Sequence, residues 1–382
     1  MSDHQSPDWS EWLASQESEI RSSGRWRSPR SFDAFGPVGE LDGRTVVSFA
    51  SNDYLGLTAH RDVRAAAIEA TERWGAGSGA SRLVVGSRPI HHELEDAIAA
   101  WRGTEAAVLF PTGFAANLGL LATLGASGVV IHSDELNHAS IIDGCRMARL
   151  NGAEVHAYRH LDLDELARNL DAHRGSRQIV VTDTVFSMDG DVAPLQQLAS
   201  LCARYQALLL VDEAHAVLES APGAVVDGAV VIQVGTLSKT LGALGGFVAG
   251  PRSLIDLLVN RARTYIFTTA PSPGDSAAAL AALRVLESPE GTALKDRLRE
   301  LIDRVVPGHP SPIIPVILGE ERAAIAASQE LLERGLLVPA IRPPTVAVGS
   351  SRLRIALSAA HTDEQITALV DALRVLETDG GQ

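Results

Sequence analysis

The sequence has few cysteines and no long apolar segment. Its two cysteines, Cys145 and Cys202, are too few for a disulfide framework, so a reducing, cytoplasmic location is expected. No apolar run approaches the roughly 20 residues that a membrane helix needs. The polar residues 1–8 also lack the apolar core of a signal peptide. These absences predict a protein that does not enter a membrane.

The chain also lacks an excess of positive charge. It has 33 lysines and arginines against 47 aspartates and glutamates, a formal net charge of −14. Nucleic acid is therefore not an expected partner, because phosphate binding requires clustered cations. The exception is a basic cluster of Arg21, Arg25, Arg27 and Arg30, which is either an ordinary solvated segment or a patch for an acidic partner.

Short apolar runs alternate with helical stretches along the middle of the chain. The predicted strands are 106–110, 128–132, 178–182, 207–211, 230–234 and 246–249, and the predicted helices include 91–101, 163–171 and 195–205. Apolar runs separated by helices are typical of an α/β fold with a parallel sheet covered on both faces. Functional loops are then expected at the carboxyl ends of the strands.

The pattern of predicted helices and strands changes after the Pro-Ser-Pro-Gly segment at 271–274. A long helical stretch follows, and then two predicted strands at 313–318 and 353–358. We predict an N-terminal segment (1–48) that packs with a smaller α+β C-terminal domain (276–382), and a large domain (49–275) between them.

Lys239 is the residue with the most specific chemistry. It follows the apolar run 230–234 in a loop of Gly, Ser and Thr, and an amine held there could form a Schiff base with the aldehyde of pyridoxal phosphate (PLP). Asp212, at the end of another apolar run, could keep a pyridine nitrogen protonated. His215 could reach the phenolic oxygen of the cofactor. Taken singly, these residues could equally be a solvated lysine, a helix-capping aspartate and a surface histidine.

Other residues could complete a cofactor site. Gly113 joins the strand 106–110 to a helix whose first amides suit a phosphate dianion. Thr236 and Ser238 could add hydroxyl donors. His138 could stack on a pyridine ring or bind substrate, and Ser187 offers another hydroxyl. Each of these signals is weak alone.

Together, seven segments in chain order resemble the α-oxoamine synthase family of fold-type I PLP enzymes. They are SNDYLGL at 51–57, GSGASRL at 77–83, GFAAN at 113–117, NHAS at 137–140, VFSMDGD at 185–191, DEAH at 212–215 and TLSK at 236–239. The resemblance covers almost the whole chain. It implies a large domain with a mostly parallel seven-stranded sheet, a smaller α+β C-terminal domain, and a PLP-dependent acyltransferase activity.

The resemblance also assigns roles. The implied cofactor-binding residues are Gly113, Phe114, His138, Ser187, Asp212, His215, Thr236, Lys239, Thr268 and Thr269. Of these, Lys239, His138 and Asp212 are the implied catalytic residues: the Schiff-base lysine, the histidine that stacks on the ring, and the partner of the ring nitrogen. Thr268 or Thr269 matches a segment that reaches the phosphate of a neighbouring subunit. The resemblance therefore implies a homodimer with shared active sites.

The implied substrate contacts are Asn52, Arg25, His138 and Arg354. The segment 340–355 is most similar to family members that join L-alanine to a pimeloyl thioester, carried by coenzyme A or acyl carrier protein, in biotin biosynthesis. Arg354 would then hold the amino-acid carboxylate, a task suited to a bidentate guanidinium. Arg352 is the alternative to Arg354, and Arg27 is the alternative to Arg25.

One segment departs from the family pattern. Residues 216–225, after DEAH, lack the Gly-Arg-Gly-like element that the family usually has there, which leaves the acyl chain and its carrier open. The alternatives are an α-oxoamine synthase with another amino acid or acyl thioester, either 2-amino-3-ketobutyrate ligase-like or a secondary-metabolite acyltransferase. An aminotransferase or a non-catalytic binding protein is less favoured. A Rossmann nucleotide site is disfavoured because no Gly-x-Gly-x-x-Gly opens a helix after the first strand. No metal site is predicted.

Overall fold

A computed structural model describes residues 8–219, 223 and 225–379. The helices are α1 (Trp9–Ser22), α2 (Arg61–Trp74), α3 (Pro89–Arg102), α4 (Gly113–Leu124), α5 (Ala139–Leu150), α6 (Leu163–Ala172), α7 (Leu195–Tyr205), α8 (Arg252–Arg261), α9 (Arg263–Ile266), α10 (Pro273–Leu286), α11 (Pro289–Val305), α12 (Glu321–Glu333) and α13 (Asp363–Asp379). The strands are β1 (Phe32–Phe35), β2 (Val38–Leu41), β3 (Arg44–Ser48), β4 (Ala106–Phe110), β5 (Val129–Asp134), β6 (Glu154–Tyr158), β7 (Arg177–Asp183), β8 (Leu208–Asp212), β9 (Val225–Val226), β10 (Ala229–Thr236), β11 (Gly246–Gly250), β12 (Ile313–Gly319), β13 (Leu336–Leu337), β14 (Ala340–Ile341) and β15 (Ser351–Ala356).

The central sheet has the strand order β4-β11-β10-β8-β7-β5-β6, with the short β9 paired to β10. Strand β11 runs antiparallel to both of its neighbours, while β10, β8, β7, β5 and β6 are parallel to one another. Helices cover both faces: α4, α5 and α8 pack on one, and α3, α6, α7 and α10 on the other. The mostly parallel seven-stranded sheet predicted from the sequence is confirmed.

All six predicted strands of this sheet are present, with ends within two residues of the prediction. The seventh strand, β6, was not predicted from the sequence, because it lies at the edge of the sheet and only its last residue, Tyr158, is fully buried. Its polar sequence therefore carries no apolar run. The predicted helices correspond to α3, α6 and α7.

Two smaller sheets lie outside the central one. Strands β12, β15 and β14 form an antiparallel sheet. The N-terminal strands β1, β2 and β3 continue into β13, where Val47 of β3 pairs in parallel with Leu336. The N-terminal segment thus joins backbone from the last fifth of the chain. The exact domain limits at residues 48 and 275 stay predictions.

Within the described residues, every helix is too short or too polar to cross a lipid bilayer.

Candidate active site

The carboxyl ends of β4, β7, β8 and β10 meet around a cavity of about 190 Å³. This is the edge at which a parallel sheet places its functional loops. The cavity is lined by Thr112, Gly113, Phe114, Asn117, His138, Ser140, Asp183, Ser187, Asp212, Ala214, His215, Thr236, Ser238 and Lys239. Eight of the ten cofactor-binding residues predicted from the sequence are therefore in one place.

Lys239 brings a buried amine into this cavity. Its Nζ lies 2.7 Å from His215 Nε2. Burial lowers the pKa of Lys239, and the charge of Arg354 lowers it further, against the opposing effect of Asp212 and Asp183. A lowered pKa increases the share of neutral amine, which is the form that attacks an aldehyde.

A hydrogen-bonded chain links Lys239 to Arg354. Asn52 Oδ1 accepts from the Tyr54 hydroxyl and from Arg354, both at 3.1 Å. Because the hydroxyl donates to Asn52, its oxygen accepts from His215 Nδ1–H at 2.5 Å, which leaves His215 Nε2 to accept from Lys239. Burial, with the nearby charges of Lys239 and Arg354, holds the pKa of His215 well below its ordinary value. The imidazole is therefore neutral and its tautomer is fixed by its two partners.

Asp212 is held by neutral donors alone. It accepts from the Asn117 side-chain amide at 2.6 Å and from the Ala214 backbone amide at 2.9 Å. The same Asn117 nitrogen donates to Ser140 Oγ at 2.9 Å, and that oxygen lies 2.8 Å from His138 Nδ1. The carboxylate is only 6% exposed, and a buried charge needs a partner of opposite sign. A protonated pyridine nitrogen would supply it.

A second carboxyl group stands beside Asp212. Asp183 ends β7, and its Cα is the register partner of Asp212 on β8. Burial and then the charge of Asp212 hold the pKa of Asp183 well above its ordinary value, so Asp183 is the protonated member of the pair. Its Oδ2 accepts from the His138 backbone amide at 2.9 Å. Asp183 therefore fixes the loop that presents His138 to the cavity.

The other end of the cavity suits a phosphate. Helix α4 begins at Gly113 after Thr112, whose hydroxyl caps it by accepting a first-turn amide at 3.0 Å. The amides of Gly113 and Phe114 have no intrahelical acceptor, because they open the helix. A Cβ at Gly113 would lie 3.3 Å from Thr236 Cβ, so glycine keeps this wall open. Thr236 Oγ1 donates to Gly245 O at 3.0 Å, and the Ser238 hydroxyl, 2.8 Å from Thr236 Oγ1, is the one that can turn toward a phosphate. The chemistry of these residues fits PLP.

Ser187 is placed by a tight turn after β7. Gly190 in this turn has a φ of +72°, and a Cβ there would lie 2.0 Å from Ile313 O. Only glycine meets both conditions. Ser311 Oγ donates to Gly190 O at 2.6 Å, and Arg354 Nε donates to Ser187 O at 2.5 Å. The turn thus ties the cavity to β12 and β15.

His160 fastens the same turn to the end of β5. Its Nδ1 lies 3.0 Å from Asp134 Oδ1 and its Nε2 2.6 Å from Asp191 Oδ2. Although burial of the ring acts to lower the pKa, the hydrogen bonds and charges of the two aspartates raise the pKa of His160 to about 10. A positively charged histidine therefore bridges two carboxylates behind Ser187.

The structure distinguishes the two candidate carboxylate-binding arginines. Both lie on β15 and both are buried. Arg352 forms an ion pair with Asp189 and donates to Met188 O at 3.3 Å, so its charge is already compensated. Arg354 donates only to neutral oxygens, those of Ser187 and Asn52. Among the described residues, the charge of Arg354 is therefore not compensated by an ion pair, unlike that of Arg352.

Five residues predicted from the sequence do not line the cavity. Asn52 and Arg354 reach it through the hydrogen-bonded chain to Lys239, whereas the other three have no such link. Arg25 pairs with Glu321 at 2.8 Å. Thr268 and Thr269 follow α9, the first half-buried and the second exposed. Their predicted roles, contact with substrate and contact with a neighbouring subunit, stay predictions. Residues 220–222 and 224 of the altered segment lie outside the described residues.

Several residues in or beside the cavity were not predicted from the sequence, among them Tyr54, Asn117 and Asp183, and these lie within or next to motifs already singled out. Tyr54 is in SNDYLGL, Asn117 ends GFAAN, and Asp183 directly follows the predicted strand 178–182. The available signal was position at a strand end or helix start. Buried hydrogen-bonding between distant motifs, such as Asn117 with Asp212, is not visible in a single sequence.

Comparison with known proteins agrees with this site. Residues 44–373 match the family model of class I and II aminotransferases. The 8-amino-7-oxononanoate synthase of Anaeromyxobacter dehalogenans strain 2CP-1 is 47% identical over 97% of this chain and 96% of its own length. That of Anaeromyxobacter sp. strain Fw109-5 is 52% identical over 91% and 90%, respectively.

Solved structures give the same result. Serine palmitoyltransferase from S. paucimobilis, in a structure with PLP bound, has a TM-score of 0.89 at 29% identity and covers 97% of this chain and 98% of its own. The 8-amino-7-oxononanoate synthase of Francisella tularensis has a TM-score of 0.73 at 28% identity, covering 87% of this chain and 97% of its own. The chain therefore belongs to the 8-amino-7-oxononanoate synthases, PLP-dependent C-acyltransferases of the α-oxoamine synthase family that act in biotin biosynthesis.

Proposed function

We propose that the protein condenses L-alanine with a pimeloyl thioester and releases 8-amino-7-oxononanoate, carbon dioxide and the free thiol. The observation that carries this proposal is the hydrogen-bonded chain from Lys239 to Arg354. It holds an amine and a guanidinium at fixed positions in one buried site, as a small α-amino acid requires. The product in the names of the relatives, 8-amino-7-oxononanoate, supports the choice of the acyl group.

Each residue of the site has a distinct role in the proposed reaction. Arg354 binds the amino-acid carboxylate, which orients the α-carbon toward Lys239. PLP, when bound, spreads negative charge from the α-carbon into its ring. Asp212 keeps the ring nitrogen protonated, and His138 covers one face of the ring. Lys239 Nζ, whose lowered pKa increases the share of neutral amine, takes the α-proton and later returns one.

The assignment of Lys239 as the Schiff-base lysine can be tested directly, because Lys239 and Lys295 are the only lysines in the sequence. Lys295 lies on α11 and does not line the cavity. Lys239→Ala should lose at least about a thousandfold in turnover, the scale of a lost acid–base group, while Lys295→Ala should retain it. Borohydride reduction of the holoenzyme followed by peptide mapping should label Lys239 alone. Labelling of Lys295, or turnover by Lys239→Ala, would contradict the assignment.

An acyl-donor and amino-acid panel tests the substrates. Thiol release and carbon dioxide release should be equimolar with L-alanine and pimeloyl-coenzyme A or the pimeloyl carrier protein, and much slower with glycine or L-serine. A preference for another amino acid or acyl chain would retain the PLP site and select the alternative, a family member with different substrates. The departure at 216–225 is the sequence feature that keeps this alternative open.

The basic N-terminal cluster offers little free charge to an acidic carrier protein. Arg21 pairs with Glu17, Arg25 with Glu321 and Arg30 with Asp42. We therefore expect activity with a carrier-linked donor to respond to salt no more strongly than activity with the coenzyme A thioester. A selective loss of carrier-linked activity in salt would assign the cluster to carrier binding.

We also propose a homodimer that completes the cavity. Apolar side chains are exposed in the cavity wall, next to α9 and in the segment 82–86 that contacts α9: Phe114 is 42% exposed, Phe267 70%, and Val84 and Val85 73% and 69%. An exposed group of this kind usually marks an interface, and it includes the segment in which Thr268 and Thr269 lie. Light scattering should give twice the 40.4 kDa chain mass. A monomer with full activity would refute the shared site.

A cytoplasmic location is the remaining part of the proposal. Cys145 and Cys202 are both free thiols in the core, as expected in a reducing compartment. Cell fractionation with activity assays tests this, and activity confined to a membrane or secreted fraction would refute it.

A further inference from the structure

Three imidazoles and a carboxylate gather at the far edge of the central sheet, away from the cavity. Glu154 and His156 lie two residues apart on β6, so their side chains share one face of the strand. His132 on β5 is the Cα register partner of His156. His173 follows the end of α6 and faces the same group. None of these residues lines the PLP cavity.

The spacing of the donor atoms is close to that of a metal site. Glu154 Oε2 lies 3.6 Å from His156 Nε2 and 3.8 Å from His173 Nε2. The ligand atoms of the three residues all lie within 4.8 Å of one another. Around tetrahedral Zn²⁺, with bonds of roughly 2.0–2.1 Å, neighbouring ligand atoms are about 3.3 Å apart. Small rotations of exposed side chains would close the difference.

The Nε2 atoms of His173 and His156, which face Glu154, form no hydrogen bond that would prevent them from binding a metal ion. His173 Nδ1 donates to Asn169 O at 2.7 Å, so its Nε2 carries the lone pair. A backbone carbonyl on the second ring nitrogen is the usual support of a metal-binding histidine. His156 Nε2 is buried and has no hydrogen-bond partner, which is costly for a polar atom unless a ligand satisfies it.

His132 adds a third neutral ring behind these two. It is fully buried, and its ring centroid lies 6.0 Å from that of His156 and 5.6 Å from that of His173. Its Nε2 donates to Gln178 Oε1 at 2.9 Å, while its Nδ1 has no partner. The cluster therefore contains two buried ring nitrogens without a hydrogen-bond partner, next to the carboxylate of Glu154.

We propose that Glu154, His156 and His173 bind one divalent transition-metal ion of the Zn²⁺ class. Two imidazoles and one carboxylate form a ligand set that Zn²⁺ accepts, with a fourth position for water. The ion would fasten the edge strand β6 to the end of α6, and would satisfy the buried nitrogen of His156. This site is independent of the PLP chemistry and of the proposed substrates.

The test uses the PLP-saturated holoenzyme, stripped of metal with a chelator and dialysed. We expect calorimetric titration with Zn²⁺ to show one site per chain, and Co²⁺ to give the visible absorption bands of a tetrahedral complex. Glu154→Gln and His173→Gln should each weaken Zn²⁺ binding by at least about tenfold, the smallest loss typical of a disturbed site. His92→Gln is the matched control, because His92 is exposed on α3 and also contacts a glutamate.

Thermal stability gives a second measure of Zn²⁺ binding. Zn²⁺ should raise the melting temperature of the wild type and of His92→Gln, and should have no such effect on Glu154→Gln or His173→Gln. His156→Gln provides a further variant should one of these fail to fold. The proposal is overturned if the wild type binds no stoichiometric Zn²⁺, or if the folded site variants bind it as tightly as the control.

Discussion

The chain of hydrogen bonds between Lys239 and Arg354 predicts a specific defect in Tyr54→Phe. Tyr54 is fully buried, and burial raises the pKa of its hydroxyl to about 12, so the hydroxyl stays protonated during turnover. Removing it takes the acceptor from His215 Nδ1–H, at 2.5 Å, and one donor from Asn52 Oδ1, at 3.1 Å. Asn52 keeps its contact with Arg354. The one group left unsatisfied is the buried imidazole N–H of His215.

The magnitude follows from that single orphaned donor. A buried unsatisfied polar group costs about 1–3 kcal/mol. If the cost falls on the position and tautomer of the imidazole that contacts Lys239, kcat should fall by roughly 5- to 150-fold, at about 1.4 kcal/mol per factor of ten. The KM for the amino acid should change less than kcat, because Arg354 keeps its hydrogen bonds to Ser187 and Asn52. Tyr54 acts here as a positioning residue.

Tyr158→Phe is the matched control, since Tyr158 is also a buried tyrosine (2% exposed) but packs in the core below the sheet and away from the cavity. Steady-state kinetics with L-alanine and pimeloyl-coenzyme A would be measured for both variants, with PLP content by absorbance and thermal unfolding alongside. Both should lose stability, and only Tyr54→Phe should lose kcat. A kcat for Tyr54→Phe within twofold of that for Tyr158→Phe would refute the positioning role.

Three further predictions concern the supports of the cavity. Gly190→Ala should be destabilised well beyond Gly175→Ala in chemical denaturation, because both have positive φ but only Gly190 lacks space for a Cβ; the strain at Gly175 alone costs about 1 kcal/mol, and equal losses would contradict the clash. Arg102→Met should lower the free energy of unfolding by about 3–5 kcal/mol, because it leaves Glu213, whose side chain is fully buried, without its ion-pair partner at 2.8 Å. Adding Glu213→Gln should restore part of that stability. If it restores none, the loss does not come from the unpaired Glu213. The pKa of His160 is raised on folding to about 10, so its protonation stabilises the folded state. The difference in unfolding free energy between wild type and His160→Gln should therefore be complete below about pH 6.5 and disappear as the pH rises through about 10. A difference that grows with pH would contradict the raised pKa.

The sequence predicts the central sheet well because its strands are continuous apolar runs. Strands β5, β7 and β10, for example, are buried along almost their whole length, so each stands out from the helices around it. Strand β6 does not, since an edge strand needs only part of its surface buried. The short strands β13 and β14, two residues each, carry no periodicity that a sequence could reveal.

Motif order also predicts most of the cavity, because five of the seven motifs lie at the carboxyl ends of strands of the central sheet. What it does not give is the contact between motifs. The protonated state of Asp183 depends on Asp212, which lies on the neighbouring strand, and the choice of Arg354 over Arg352 depends on Asp189. Both are consequences of tertiary neighbours. The Glu154, His156 and His173 cluster was missed for the same reason: His173 lies beyond an intervening helix.

The pairing of Val47 with Leu336 has a consequence for the nascent chain. These residues are almost three hundred positions apart, so the edge of β3 has no partner until most of the protein has left the ribosome. An open strand edge is a template for wrong pairing, and Arg354 emerges later still. A ribosome that stalls after residue 239 would therefore release a chain with an aggregation-prone edge and without Arg354. Such a chain should depend on chaperones and be a substrate for degradation.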